Sequence, residues 1–286
     1  MDTKFFSNAI DFLAYANSDL KRDEVRYGLI SGIAKRLVDN PHQYGEADPW
    51  FCGIGDDEGV HAVAIRTPPY KILLAQFSGD LVLNAALLAD SISAFSEDIP
   101  GVVGDKEIAD CFAEYWSKTH RVTVGGKMAQ RIYRLVRISD IRFAAGNLRL
   151  ASESDRELVT TWANSFQEEA ISSGSRNEPV SDIISRIKKQ EIYLWEDNNP
   201  VSMAAKSAPT DNGIRINLVY TPPQLRRRGY ATTCVASICK SLLDSGYKFC
   251  TLYTDLANPT SNSIYKKIGF EEVCDSVEYT FAMPSN

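Results

Sequence analysis

Val219-Tyr220-Thr221-Pro222-Pro223-Gln224-Leu225-Arg226-Arg227-Arg228-Gly229-Tyr230-Ala231 is the stretch on which the reading of this chain turns. An apolar run from Ile214 to Tyr220 reads as a strand, and it stops at two prolines, which lack an amide donor and cannot continue a ladder. The chain then turns through Arg226–Gly229 into a helical pattern. Ala231, Val235, Ile238 and Leu242 share one face of it, and Gly246 stands where a C-terminal cap is wanted. A strand–turn–helix of this kind aims free backbone amides at one spot beside the positive end of the helix dipole, which suits an anion such as a pyrophosphate. Gly229 lets backbone approach phosphate with no side chain between them. Ala231 keeps the first helical turn close, and three arginines add positive charge. Taken alone, the same residues also fit a solvated basic turn before an ordinary helix.

A second stretch lies downstream: Asn258-Pro259-Thr260-Ser261-Asn262-Ser263-Ile264-Tyr265-Lys266-Lys267-Ile268-Gly269-Phe270. Arg226-x-x-Gly229-x-Ala231 after a strand resembles the acyl-CoA signature of the GNAT acetyltransferase superfamily, Gln/Arg-x-x-Gly-x-Gly/Ala. The downstream stretch is similar to that family's Asn-x-x-Ala/Ser-x-x-x-Tyr-x-x-x-Gly-Phe run. Neither motif is specific by itself; two in the right order on the right elements are. The resemblance covers about residues 148–286 by motif and the first half only by element order.

The resemblance implies an N-acetyltransferase that moves acetyl, or another short acyl group, from its CoA thioester to an amine by direct attack in a ternary complex. It implies that the strand before the loop splays from its neighbour and that backbone groups of Val219, Tyr220 and Thr221 line the gap for the pantetheine arm. An amide there would polarise the thioester carbonyl. The residues alone are equally consistent with an interior strand satisfied on both sides. Cofactor contacts are implied for Arg226, Arg227, Arg228, Gly229, Tyr230, Ala231, Asn258, Ser261 and Asn262. Asn258 and Pro259 also explain themselves as N-cap and first helical residue. Asn262 is left open between capping, cofactor contact and solvent. Tyr265 is the expected general acid that protonates the departing thiolate. Gly269-Phe270 reads as a helix stop with a hydrophobic clasp.

The base is less defined. An acceptor ammonium, with a pKa of about 10, must lose a proton before attack. His42, His61 and His120 all lie in the first half. Glu168, Glu169 and Glu178, at the end of the helix bordering the acceptor side and in the following loop, are the candidates. Each is also a solvated acidic residue, and water can serve instead.

The first half runs through helices at Phe5–Leu13 and Val25–Val38, strands at Trp50–Ile54, Val60–Ile65 and Tyr70–Phe77, and a helix at Leu81–Phe95. Val102-Val103, a helix Lys106–Trp116 and strands at Arg121–Val124 and Ile132–Ile138 come next, with Gly125-Gly126 as a hairpin turn. The second half repeats this order from Leu148 to Ala282. The expected fold is α/β (α+β), with tandem GNAT-like units, each a mixed, mostly antiparallel sheet flanked by helices. Residues 1–144 form the degenerate unit and 145–286 the catalytic one. The first half has no Arg-x-x-Gly-x-Ala at the matching loop, where Asp80 puts a negative charge. Its later helix has Tyr115 but no Asn-Pro start and no Gly-Phe stop, so this half is not expected to bind CoA.

Composition sets the outer bounds. The chain has 286 residues, 44% hydrophobic and 24% charged, enough for two ordinary domains with real cores. A formal net charge of −6 argues against a general nucleic-acid binder, and against an aminoacyl transferase that uses charged tRNA. Six cysteines without a CxxC pair read as buried thiols in a reducing, cytoplasmic setting, with no metal. Gly53-Ile54-Gly55 leads into Asp56-Asp57-Glu58, whose carboxylates would repel a phosphate, and no P-loop is present. The expected partner is a small-molecule or peptide amine, with neither membrane nor nucleic acid. The competing class is a module that binds or senses acyl-CoA without turnover.

Overall fold

The computed structural model describes residues 1–95, 99–170 and 180–282. The chain forms two compact units: one of Met1–Ile132 with Cys274–Asn286, the other Tyr133–Val273. The first contains β1 (Asp2–Phe6), α1 (Ala9–Arg22), α2 (Gly28–Asp39), β2 (Trp50–Asp56), β3 (Gly59–Arg66), β4 (Ile72–Gln76), α3 (Leu81–Phe95), β5 (Gly101–Asp105) and α4 (Lys106–His120). A long strand β6 (Thr123–Leu135) then leads into the second unit. After it come β7 (Asn147–Leu150), α5 (Arg156–Ala170), α6 (Val180–Lys188), β8 (Ile192–Asp197), β9 (Asn199–Ser207), β10 (Gly213–Tyr220), α7 (Tyr230–Asp244), β11 (Phe249–Asp255), α8 (Pro259–Ile268) and β12 (Glu271–Ala282). Both series read β-α-α-β-β-β-α-β-α-β. β1–β2, β2–β3, β3–β4 and β5–β12 pair antiparallel, as do β7–β8, β8–β9 and β9–β10, whereas β4–β5 and β10–β11 are parallel and lie at the same place in each series.

Period-two burial builds the first unit's sheet. Cys52, Ile54, Ala62 and Ala64 face α3 and α4, in a core with Leu88, Ile92, Phe112 and Trp116. The alternate residues Phe51, Val63 and Ile65 face α1 and α2, against Phe12, Leu20, Ile30 and Leu37. The second unit follows the same plan. Ile214, Ile216, Cys250 and Leu252 pack under α7 and α8, while Ile192, Leu194, Met203 and Ala205 pack under α5 and α6.

Three expectations are corrected. Phe5 belongs to strand β1, paired with β2 at Cys52, not to a helix. The helix starts at Ala9 because the Asn8 side chain caps it, accepting from the Asp11 amide at 2.9 Å, and it runs on to Arg22. Gly125-Gly126 is not a turn: both glycines lie inside β6. A Cβ at Gly125 would stand 3.1 Å from the Ala282 Cβ, so the pair marks close strand packing rather than reversal. The units also divide within β6 and β12 rather than near residue 144. Ser276–Thr280 of β12 pair with β5, and Val277, Tyr279 and Phe281 enter the first unit's core, so β12 extends the first unit's ladder.

Candidate active site

β10 and β11 pair at Gly213–Phe249, Ile214–Cys250 and Arg215–Thr251, and there the ladder stops. Both strands continue, to Tyr220 and Asp255, so among the described residues the edge of β10 that faces β11 has no ladder partner beyond Arg215. On its other side β10 carries a bulge against β9: Asn217 pairs with Ala205 but Tyr220 with Met203, three steps against two. Leu218 sits at the extra residue with φ 52°. The bulge reverses side-chain parity. Ile214 and Ile216 face α7, whereas Leu218 and Tyr220 face α5. Asn217, next to Leu218, turns to the same side and accepts a hydrogen bond from Arg186 of α6 at 3.0 Å.

Beyond the bulge the strand end is pinned from within. The buried Ser202 hydroxyl donates to the Tyr220 carbonyl at 3.1 Å and lies 2.9 Å from the Thr221 hydroxyl. Pro222 starts a single tight turn at Pro223–Leu225, and the loop reaches α7 through Arg227 (φ 64°) and Gly229 (φ 82°). Gly229 is the N-cap of α7 and supplies no side-chain acceptor, so the first amides of this 15-residue helix are left for a ligand. A Cβ built on Gly229 meets nothing nearer than the Ala144 Cβ at 3.9 Å; the space above the helix end is open. An open unpaired strand edge that runs to an uncapped helix N-terminus fits an extended arm ending in a pyrophosphate.

The side chains divide into those that face this slot and those that build it. Arg227, Arg228 and Gly229 are exposed at the helix end, and Ala231 is half-buried. Tyr230 is buried and its hydroxyl donates to Asp197 at 2.6 Å, so only its backbone faces the slot. Arg226 does not project free: its Nε donates to the Thr221 carbonyl at 2.8 Å and its guanidinium pairs with Glu169. Asn258 is the N-cap of α8, accepting from the Ser261 amide at 3.0 Å, with Pro259 next. Ser261 is half-buried in the first turn.

Asn262, open between three roles in the sequence, has its side-chain groups engaged. It donates to the Asp255 and Asn258 carbonyls at 2.9 and 2.7 Å and accepts from the Tyr133 hydroxyl at 3.1 Å. It ties the end of β11 to the start of α8. Asn262→Ala is therefore expected to cost about 1–3 kcal/mol of stability. CoA affinity in the folded variant should change by less than about threefold, or about 0.7 kcal/mol. Denaturant melts beside calorimetry separate the two effects.

Tyr265 is 7% exposed, edge-on to Phe270 at 5.8 Å, and its hydroxyl has no protein hydrogen-bond partner among the described residues. Burial pushes its phenol well above the usual tyrosine range, so it holds its proton at neutral pH. All six cysteines are free thiols. Burial raises the Cys234 thiol to about 12 and the Cys239 thiol well above its ordinary value, which makes both poor nucleophiles. Of the candidate bases, Glu168 is exposed, Glu169 is paired with Arg226, and Glu178 lies outside the described residues. Among the described residues no group of three or more His, Cys, Asp or Glu could hold a metal ion, and no helix is long and apolar enough to cross a membrane.

The same place in the first unit is filled. Only Phe77–Asp80 separate β4 from α3, and Asp80 precedes the helix where the second unit has Gly229. Its carboxylate accepts from the Leu83 amide at 2.8 Å. Asn84 donates to the Ser78 carbonyl at 2.9 Å and to Gln76 at 3.1 Å, and the Ser78 hydroxyl lies 2.8 Å from His61 Nδ1. An anion there would meet a carboxylate instead of free amides.

Three features escaped sequence reasoning: the Leu218 bulge, the Ser202 pin and the Arg226–Glu169 pair. A buried serine in the β9 run was the one available signal.

Residues 194–280 match the family model described as FR47-like protein, a span that includes the arginine loop and all of α8. No curated protein matches the sequence. Among solved structures the chain is similar to a Drosophila protein at 12% identity, with 98% of each chain covered and a TM-score of 0.73. A GCN5-related N-acetyltransferase from Sphaerobacter thermophilus aligns over 99% of this chain and 97% of its own, at 13% identity and a TM-score of 0.62. An acetyltransferase from the GNAT family of Colwellia psychrerythraea aligns over 99% of this chain and all of its own, at 11% identity and a TM-score of 0.60. The chain thus has the fold of GNAT acetyltransferases, with an FR47-like segment where its strand edge and helix end form the slot.

Proposed function

We propose that this protein is an N-acyltransferase that moves acetyl, or another short acyl group, from CoA to a primary amine, using the second unit alone for the coenzyme. The observation that carries the reading is the end of the β10–β11 ladder at Arg215–Thr251, directly upstream of the uncapped α7 N-terminus. When bound, acyl-CoA supplies an activated acyl carbon: the amine nitrogen forms the C–N bond, the C–S bond breaks, and sulfur leaves with the electron pair.

The chain's residues have separable tasks. Amides at the start of α7, with Arg227 and Arg228, take the pyrophosphate. The free edge of β10 near Val219 holds the arm and offers an amide to the carbonyl oxygen. Tyr265, kept protonated by burial, gives its proton to the departing sulfur, and the proton that the amine nitrogen sheds on forming the C–N bond passes through water to restore the phenol. Protonated buried thiols at Cys234 and Cys239 support direct attack over an acyl-cysteine route. The filled loop at Asp80 supports a first unit that takes no coenzyme.

Acetyl-CoA turnover, followed by thiol release against amino acids, polyamines, aminoglycosides and peptides, tests this. Amine-dependent release is expected with at least one class. CoA binding without release from any amine would favour a sensing module instead.

A further inference from the structure

The arginine that opens the loop motif is not held in readiness for phosphate. Arg226 Nε is on the Thr221 carbonyl, its terminal nitrogen is paired with Glu169, and the guanidinium lies 5.8 Å from the centre of the Tyr220 ring. Glu169 is the next-to-last residue of α5, and its other oxygen accepts from the Tyr220 hydroxyl at 3.4 Å. Tyr220 reaches it only because the Leu218 bulge turns that ring toward α5, where it also meets Trp162 at 6.2 Å. One carboxylate therefore joins the loop, the strand end and the helix on the far side of β10. Arg226 and Glu169 are each about two-fifths exposed, so the pair is solvated and easily exchanged.

We propose that Arg226 and Glu169 form a latch that the coenzyme's pyrophosphate opens. This rests on reading Arg226–Ala231 as the pyrophosphate site. Arg226 has one guanidinium and two suitors: the Glu169 carboxylate and a diphosphate a few residues away on the α7 amides. A diphosphate offers more negative charge and the same forked acceptor geometry, so it draws Arg226 from α5. Glu169 is then an uncompensated carboxylate against Tyr220, whose ring in turn meets Trp162. An aromatic-flanked carboxylate is a receptor for an ammonium group. The latch makes that receptor available after the coenzyme binds and masks it before. Glu169 is thus an acceptor-binding residue, and the acceptor class it selects is a cationic amine.

The consequence is a coupling with a definite sign. Glu169 competes with the coenzyme for Arg226, so Glu169→Gln is expected to bind CoA about two- to fivefold more tightly, the range of an exposed ion pair. General removal of negative charge would do the same from any position, so the neighbour Glu168→Gln is the control; no ion pair of Glu168 is seen among the described residues. In an Arg226→Gln background the benefit of Glu169→Gln should vanish, because the contested partner is gone.

Calorimetric titration of CoA into the intact chain, the three single variants and the double variant Arg226→Gln/Glu169→Gln decides it. Tighter binding for Glu169→Gln alone, no gain for Glu168→Gln and none in the Arg226→Gln background support the latch. Equal effects in both backgrounds, or no change with Glu169→Gln, overturn it while the coenzyme site stands. No CoA binding by the unmodified chain overturns the functional reading itself.

Discussion

Gly229→Asn should leave the protein folded and remove at least about 90% of its CoA affinity, which is about 1.4 kcal/mol or more. Gly229 holds φ 82°, a left-handed conformation that asparagine tolerates better than any branched residue, so the loop can keep its path. What asparagine adds is a side chain in the open space above the α7 amides, where nothing but Ala144 comes within 4 Å of a Cβ. Its amide oxygen can also cap the amides that the glycine leaves for a ligand. Thermal stability should hold or rise slightly while binding falls. Gly229→Val makes the complementary comparison: it blocks the same space and adds strain at positive φ, so stability and binding should fall together. A Gly229→Asn variant that binds CoA normally would place the anion elsewhere.

Tyr265→Phe should lower kcat by about 10²–10⁴-fold, the usual contribution of a general acid. Stability should scarcely change, because the hydroxyl has no protein partner to lose among the described residues and the ring keeps its place against Phe270 and the α7 core. CoA affinity should also persist. The pH dependence follows from the sign of the shift. Burial disfavours the phenolate and moves the pKa upward, so the proton-donating form persists through neutral and moderately alkaline pH. Rate should not decline from loss of this proton until above the ordinary tyrosine range of about 10. Loss of activity with a group titrating near neutrality would assign the acid to another residue. Pre-steady-state thiol release, alongside calorimetry on the same variant, separates the chemical step from binding.

Legible features of the sequence were local ones. Pro222-Pro223 ending a strand, Asn258-Pro259 starting a helix and Gly269-Phe270 closing it each act through their immediate neighbours, and the structure has all three where their chemistry puts them. Short apolar runs without clear periodicity were ambiguous: Phe5-Phe6 fits a helix or a strand until Asn8 is recognised as the cap of α1. Gly125-Gly126 carries a turn signal that strand packing overrides. Non-local features left no trace. Glu169 and Arg226 lie 57 positions apart. The return of β12 to the first unit depends on pairing with β5, far back in the chain. Nothing in an Asn-Leu-Val run announces that Leu218 will take φ 52° and turn Tyr220 to the opposite face. That bulge decides what the strand end presents to α5, and no local residue pattern encodes it.

One acyl-CoA on the α7 amides of the second unit, and none on the first unit, is the arrangement on which the proposed activity depends. Calorimetric titration of acetyl-CoA into the intact chain measures both halves at once. A single site per chain is expected, abolished by Gly229→Val and untouched by Asp80→Asn. Absence of binding, two sites per chain, or a site lost with Asp80→Asn and kept with Gly229→Val would contradict it.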